Sequence, residues 1–164
     1  MTLLCWAKTP APPELSLRHS MAPPSSLEYA GDISAAQAWE RLEADPKAQL
    51  VDVRTAAEWN FVGLPDISSL GRQVHCVEWQ AFPTGARNPG FVIEAGQALN
   101  DKDAPVLLLC RSGARSRAAA IALTQAGFSH AFNIAGGFEG DTDEEGHRGN
   151  RNGWKAANLP WRQD

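Results

Sequence analysis

From Asp32 onward the apolar residues alternate between two periods, one helical and one extended. Ala38, Trp39 and Leu42 share one helical face behind Ser34-x-x-Gln37. That spacing is a capping box, in which the two side chains satisfy each other's free N–H groups. Asp45-Pro46 ends this helix. Gln49 to Val53 reads as a short buried strand closing on Asp52-Val53-Arg54. Thr55-x-x-Glu58 is a second capping box; it opens a brief helix carrying Trp59, and Gly63-Leu64-Pro65 closes it. Val74 to Trp79 is the next strand expected, and Asn88-Pro89 starts a helix that runs to about Leu99. Pro105 to Leu109 is an unbroken apolar run, as a strand buried on both faces requires. Ser116 to Gln125 is strongly helical and stops at Gly127. His130 to Ile134 is a last strand, leading into Ala135-Gly136-Gly137.

Strands separated by helices imply an α/β fold, a central parallel sheet with helices on both faces. At 164 residues the chain has room for one such domain, expected over residues 27–164. Glu139 to Gly153, rich in Gly, Asp, Glu and Asn, reads as an exposed loop. The more apolar tail from Gly153-Trp154 to Leu159-Pro160-Trp161 is expected to pack back on the domain. Residues 1–26 have five prolines and neither period, so they read as a disordered Pro-rich arm. The apolar stretch Leu3 to Ala7 is too short for a secretory signal core, and no basic residue precedes it. Met21 would itself serve as a start, and an intact-mass measurement on native protein that found Met1 or Thr2 would exclude it.

Composition narrows the function. The net charge of −4 gives no reason to expect nucleic acid or an acidic membrane as partner. No apolar run approaches the ~20 residues that span a bilayer. Any anion site must therefore be local. Cys5, Cys76 and Cys110 make an odd set of thiols without C-x-x-C spacing, and His75, His130 and His147 add no ligand pattern. We therefore expect no disulfide framework, no metal and no cofactor, and a reducing, cytoplasmic location.

The candidate chemistry sits in Cys110-Arg111-Ser112-Gly113-Ala114-Arg115-Ser116. In open α/β sheets ligands bind beyond the C-terminal ends of the strands, and Cys110 follows the strand ending at Leu109. There its thiolate meets the amides of a turn and the positive end of a helix. Arg111 and Arg115 add charge, and Gly113 permits the tight turn. A cysteine after an apolar strand is often just a buried, inert thiol. Core packing, however, does not require two arginines and a glycine within six residues of it. Cys110 is therefore expected to be a nucleophile.

At these residues the chain resembles the rhodanese family of sulfurtransferase domains. The matching pieces are Val51 to Arg54, Glu58-Trp59, Gly63 to Pro65, Leu107 to Ser116, Ala135 to Asp141, and Gly153 to Trp161. They cover about residues 32–162. Where family members often carry Gly-His-Ile-Pro-Gly-Ala, this chain has Gly63-Leu64-Pro65-Asp66-Ile67-Ser68, and residues 64–89 depart from the usual pattern.

Phosphatases and arsenate reductases with a related loop have C-x5-R, whereas four residues separate Cys110 from Arg115 here. One residue fewer removes up to ~3.3–3.6 Å of chain, which suits a cradle for a sulfur atom better than one for a tetrahedral oxyanion. A phosphatase also needs a general acid, for which only Asp52 and Asp66 offer themselves. The resemblance thus implies transfer of a sulfane sulfur from a donor such as thiosulfate, through a Cys110 persulfide, to cyanide or a thiol. A sulfur carrier serving a protein partner shares that chemistry. In this scheme the amides of Arg111 to Ser116 hold the persulfide, Arg115 stabilises the loop and an anionic donor, and Arg111 sets preference for anions. Ser116 is expected to cap the helix rather than to donate to sulfur. Asp52 and Arg54 are read as a structural ion pair, Arg117 as a solvated residue, and Trp39 and Trp59 as core. Trp79, Trp154 and Trp161 are candidates for the pocket mouth.

Overall fold

Both capping boxes form. In a computed structural model, which describes residues 28–163, Ser34 Oγ accepts the Gln37 N–H while the Gln37 side chain accepts the Ser34 N–H. Thr55 and Glu58 do the same. The helices they start are α1 (Ala35–Ala44) and α2 (Ala56–Val62), which flank strand β2 (Gln49–Asp52). Strand β1 (Gly31–Ile33) comes before α1. After α2 come the two-residue strands β3 (Leu64–Pro65) and β4 (His75–Cys76), helix α3 (Phe91–Ala98), β5 (Val106–Leu109) and α4 (Ala114–Gln125). The chain ends with β6 (Ala131–Ile134), the short helix α5 (Gly153–Ala156) and β7 (Trp161–Arg162). The expected Pro-rich arm, Cys5 and Met21 lie outside the described residues.

The main sheet has the order β1-β6-β5-β2-β4, with every pairing parallel. A small antiparallel pair, β3 with β7, stands apart from it. Alternation along β5 builds two cores. Val106, Leu108 and Cys110 face the layer with Phe91 and Ala95 of α3 and Ala119, Ala120 and Leu123 of α4. Leu107 and Leu109 face Ala38 and Leu42 of α1 and Trp154 of α5. Helices therefore cover both faces, as the unbroken apolar run of β5 requires. No helix among the described residues is long and apolar enough to cross a membrane.

Several boundaries differ from expectation, each for a local reason. β1 was not foreseen, since three residues beginning at a glycine carry no readable period; it is placed by pairing with β6, Asp32 opposite Asn133. The strand expected over residues 74–79 shortens to His75–Cys76. Beyond it Val77 and Trp79 still donate to the Asp52 and Val53 carbonyls, but a Gln80–Arg87 bridge then turns the chain away. α3 starts at Phe91 rather than at Asn88, because Asn88 Oδ1 accepts the Gly90 N–H and turns Asn88-Pro89-Gly90 into a loop.

Three tryptophan expectations need correction. Trp79 and Trp154 are buried, Trp79 edge-on to Phe91 and Trp154 edge-on to Trp39. Trp161 is exposed, but it packs on Phe138 with the Lys155 ammonium 4.0 Å from its ring, so none of the three opens onto the cysteine loop. Trp39 packs against the second core, as expected. Trp59 is only half-buried, although its indole N–H is sealed from solvent and has no partner among the described residues.

Candidate active site

The seven loop residues fall where β5 gives way to α4. Gly113 has φ +112, a value that L side chains rarely adopt, and it caps α4 with its backbone alone. The helix therefore begins at Ala114, two residues earlier than its propensity suggests. The amides of Ala114, Arg115 and Ser116 find no carbonyl acceptor among the described residues; the first cap bond runs from the Arg117 N–H to the Gly113 carbonyl. Helix starts leave such donors free, and they carry the positive end of the helix dipole.

Cys110 is 1% exposed, and its Sγ accepts the Gly113 N–H at 3.1 Å. The Gly113 amide is turned toward the sulfur while the loop carbonyls are drawn the other way. The Phe138 N–H donates to the Cys110 carbonyl at 2.7 Å, and the Glu139 and Gly140 N–H groups donate to the Arg111 carbonyl. The Phe138-Glu139-Gly140 segment, just past the Gly136-Gly137 turn, thus clamps the outside of the loop. Gly137 fits only because it lacks Cβ, which would stand 2.3 Å from the Cys110 carbonyl oxygen.

Ser116 departs from the expected capping role. Its Oγ lies 3.1 Å from Cys110 Sγ and donates to Asn133 Oδ1 at 2.6 Å, and all three residues are buried. Gly113 already occupies the cap position, so the hydroxyl points into the core.

Arg115 holds the loop through a carboxylate. Its guanidinium binds Glu58 of α2 through both terminal nitrogens, at 2.8 and 2.7 Å. Burial alone would raise the Glu58 pKa, but hydrogen bonds from Arg115 and Thr55 and the Arg115 charge together bring it down to about 2. Arg115 is thus committed to tying the loop to α2, and its charge is already balanced. The Arg111 side chain is exposed and makes no hydrogen bond or ion pair among the described residues. Ser112 is half-buried and Ala114 exposed.

Because the folded Glu58 carboxyl titrates near 2 against an ordinary 4.5, its ion pair stabilises the fold fully above 4.5. That contribution fades as pH falls through about 2. Glu58→Gln is expected to unfold at lower urea than the parent at neutral pH, with the gap closing as the pH is lowered across this window. Urea midpoints across that range would check it.

Asp52 and Arg54 form the expected ion pair, fully buried: Arg54 Nη2 meets Asp52 Oδ2 at 2.7 Å and also donates to the Gly63 carbonyl. The pair fixes the end of β2 to the turn after α2. Arg117 is exposed, as expected, and lies over the Tyr29 ring. Asp66 sits in the turn before Ser68, whose N–H it accepts, and not at the loop.

A groove of about 490 Å³ opens beside the loop, walled by Arg111 and Arg115 on one side and by Thr55, Ala57, Val62, Phe82 and Pro83 on the others. A second cavity of about 430 Å³ lies at the opposite end of the strands, near Lys47 and Arg72. Arg72 there is committed to the carbonyls of Leu42, Asp45 and Ala48, and the cavity holds no loop residue. The candidate loop residues Arg111 and Arg115 border the first. Glu58, Asn133 and the groove were absent from the sequence-level site. Only Glu58 had a signal there, in the Glu58-Trp59 match.

Known proteins agree with this architecture. A family model described as the STR4 middle domain matches residues 30–164. Rv0390 from M. tuberculosis, solved by crystallography, is 53% identical, covers 83% of this chain and 99% of its own, and superposes with a TM-score of 0.77. The RP600 homolog of Rickettsia rickettsii is 36% identical over 79% of this chain and 95% of its own length. Rhodanese-like domain-containing protein 4 of Arabidopsis thaliana is 30% identical over 78% of this chain, which spans 25% of that protein. The fold and cysteine loop define a sulfurtransferase-type domain. The chain belongs to the rhodanese family.

Proposed function

We propose that Cys110 takes a sulfane sulfur from a small donor such as thiosulfate and passes it to a nucleophilic acceptor. The observation that carries this reading is the Gly113 N–H bonded to Cys110 Sγ in a loop whose next three amides find no carbonyl acceptor among the described residues. Such a site stabilises an anionic sulfur one bond beyond Sγ.

In the first step the Cys110 thiolate attacks the outer sulfur of thiosulfate. The donor S–S bond breaks, its electron pair leaves with sulfite, and a Cys110 persulfide anion remains. In the second step cyanide or a thiol attacks the outer sulfur, and the pair of the broken bond returns to Cys110 Sγ as thiolate. Arg111, the loop cation without a partner among the described residues, attracts the anionic donor. Arg115 contributes by holding the loop through Glu58.

The groove favours an organic thiol over cyanide as acceptor. Its volume lies in the range of about 300–1,000 Å³ that suits organic ligands, and Phe82, 68% exposed, offers a thiol-bearing molecule an apolar rim. A protein thiol fits the same description, and free thiols on both sides of the exchange suit the cytoplasm. Phosphatase or arsenate reductase chemistry is less well served, since Arg115 is already bound to a carboxylate.

Incubation with thiosulfate should add one sulfur atom to Cys110, read by mass spectrometry, and Cys110→Ser should take up none. An unmodified wild-type protein that hydrolyses a phosphate ester would overturn the reading.

A further inference from the structure

Beyond the loop, a chain of hydrogen bonds runs from the sulfur to the edge of the sheet. Ser116 Oγ is within donating reach of both Cys110 Sγ, at 3.1 Å, and Asn133 Oδ1, at 2.6 Å, and Asn133 Nδ2 donates to Asp32 Oδ1 at 2.9 Å. The Tyr29 hydroxyl donates to the same Asp32 oxygen at 2.7 Å.

The direction of these bonds follows from the groups. A carboxylate only accepts, and Asp32 is held below the usual carboxylate range: burial opposes ionisation, but Asn133, Tyr29 and the Arg117 charge outweigh it. Asn133 must therefore turn its NH₂ to Asp32 and its carbonyl oxygen to Ser116. The serine hydroxyl has a single proton, and Asn133 Oδ1 at 2.6 Å claims it. What Ser116 then offers Sγ is a lone pair. A protonated thiol satisfies that lone pair by donating to it. A thiolate does not, and can be stabilised by Ser116 only if the hydroxyl proton swings away from Asn133.

We propose that Asn133 is a positioning residue, held by Asp32, that competes with Cys110 for the Ser116 proton and so disfavours the free thiolate relative to the persulfide. This rests on the sulfur-transfer reading above. In the persulfide the charge sits on the outer sulfur, against the loop amides. Sγ is then uncharged and bonded on both sides, so Ser116 keeps its bond to Asn133. Transfer to an acceptor breaks the Sγ–S bond, returns the pair to Sγ and creates the thiolate that this arrangement penalises. The chain thus favours retention of the sulfur until an acceptor of sufficient nucleophilicity arrives.

The test compares wild type, Asn133→Leu, Ser116→Ala and the double variant. The rate of alkylation by iodoacetamide is followed against pH at the Cys110 peptide by mass spectrometry. The other charged groups around the network are the same in all four proteins: Arg111 and Arg115 on the loop, Glu58 on α2, Asp52 and Arg54 at the end of β2, and Asp32, Tyr29 and Arg117 at its far end. Asn133→Leu frees Ser116 to donate to a charged sulfur, so its alkylation profile should move to lower pH, with a rate at mildly acidic pH about tenfold that of wild type. In the Ser116→Ala background the same substitution should have no effect. An unmoved profile, or an equal change with and without Ser116, overturns the proposal. If Asn133→Leu fails to fold, the smaller Asn133→Ala, checked by its melting curve, serves in the same cycle. Thiosulfate loading of the four proteins separates the two readings. Loss of loading in wild type defeats the sulfur-transfer reading, whereas the alkylation cycle alone decides the role of Asn133.

Discussion

Replacing Arg54 with methionine should destabilise the domain by about 3–5 kcal/mol, because it strands the Asp52 carboxylate in the core. Neither side chain has any solvent exposure, and Arg54 Nε and Nη2 supply the side-chain hydrogen bonds that Asp52 receives. Domains of this size are stable by only about 5–15 kcal/mol, so the loss takes a large share of the total. The pair is costly to bury, and a cation–π contact with Phe138 only partly offsets that cost. Replacing both partners, Asp52→Leu with Arg54→Met, should therefore recover much of the loss. Urea unfolding of the single and double variants measures it. A single variant within about 1 kcal/mol of the parent would contradict the argument.

Gly137→Ala is the second large effect expected. The new methyl would meet the Cys110 carbonyl oxygen at 2.3 Å and the Arg111 carbonyl carbon at 2.7 Å, both backbone atoms that no rotamer change can clear. Gly137 also has φ +57, in the left-handed region. Strain and overlap together should remove about 2–4 kcal/mol. Gly71 is the matched control, with φ +69 and nothing within 4 Å of its added Cβ, so Gly71→Ala should lose only the ~1–2 kcal/mol of the left-handed conformation. The two variants should differ in function as well. Gly71→Ala should load sulfur normally, whereas Gly137→Ala pushes the Cys110 carbonyl off the Phe138 N–H and should load poorly.

The parts of this fold that were legible in the sequence are those decided within a few residues. Ser34-x-x-Gln37 and Thr55-x-x-Glu58 start helices through contacts three residues apart, and Val106 to Leu109 is buried because every residue in it is apolar. The cysteine loop was legible for the same reason, since Gly113 and the two arginines lie beside Cys110. The errors concern contacts between distant segments. Glu58 claims Arg115 across 57 positions, and Asn133 claims Ser116 across 17, so neither role can be read from loop spacing. Ser116 looked like a cap because helix propensity rises there, but a glycine with positive φ starts the helix earlier and needs no side chain to do so. Trp79 and Trp154 fill the two cores through neighbours far along the chain, which local spacing does not show.

The outer clamp on the cysteine loop has a consequence for biosynthesis. Cys110 leaves the ribosome well before the Phe138, Glu139 and Gly140 N–H groups that hold the loop carbonyls, and well after Asp32, which lies 101 positions from its partner Asn133. A nascent chain that has emerged only as far as α4 has Cys110 but lacks the segment that holds the loop carbonyls away from it. The geometry of the cysteine loop is therefore completed late, when β6 and the Gly-Gly turn close over a loop synthesised earlier.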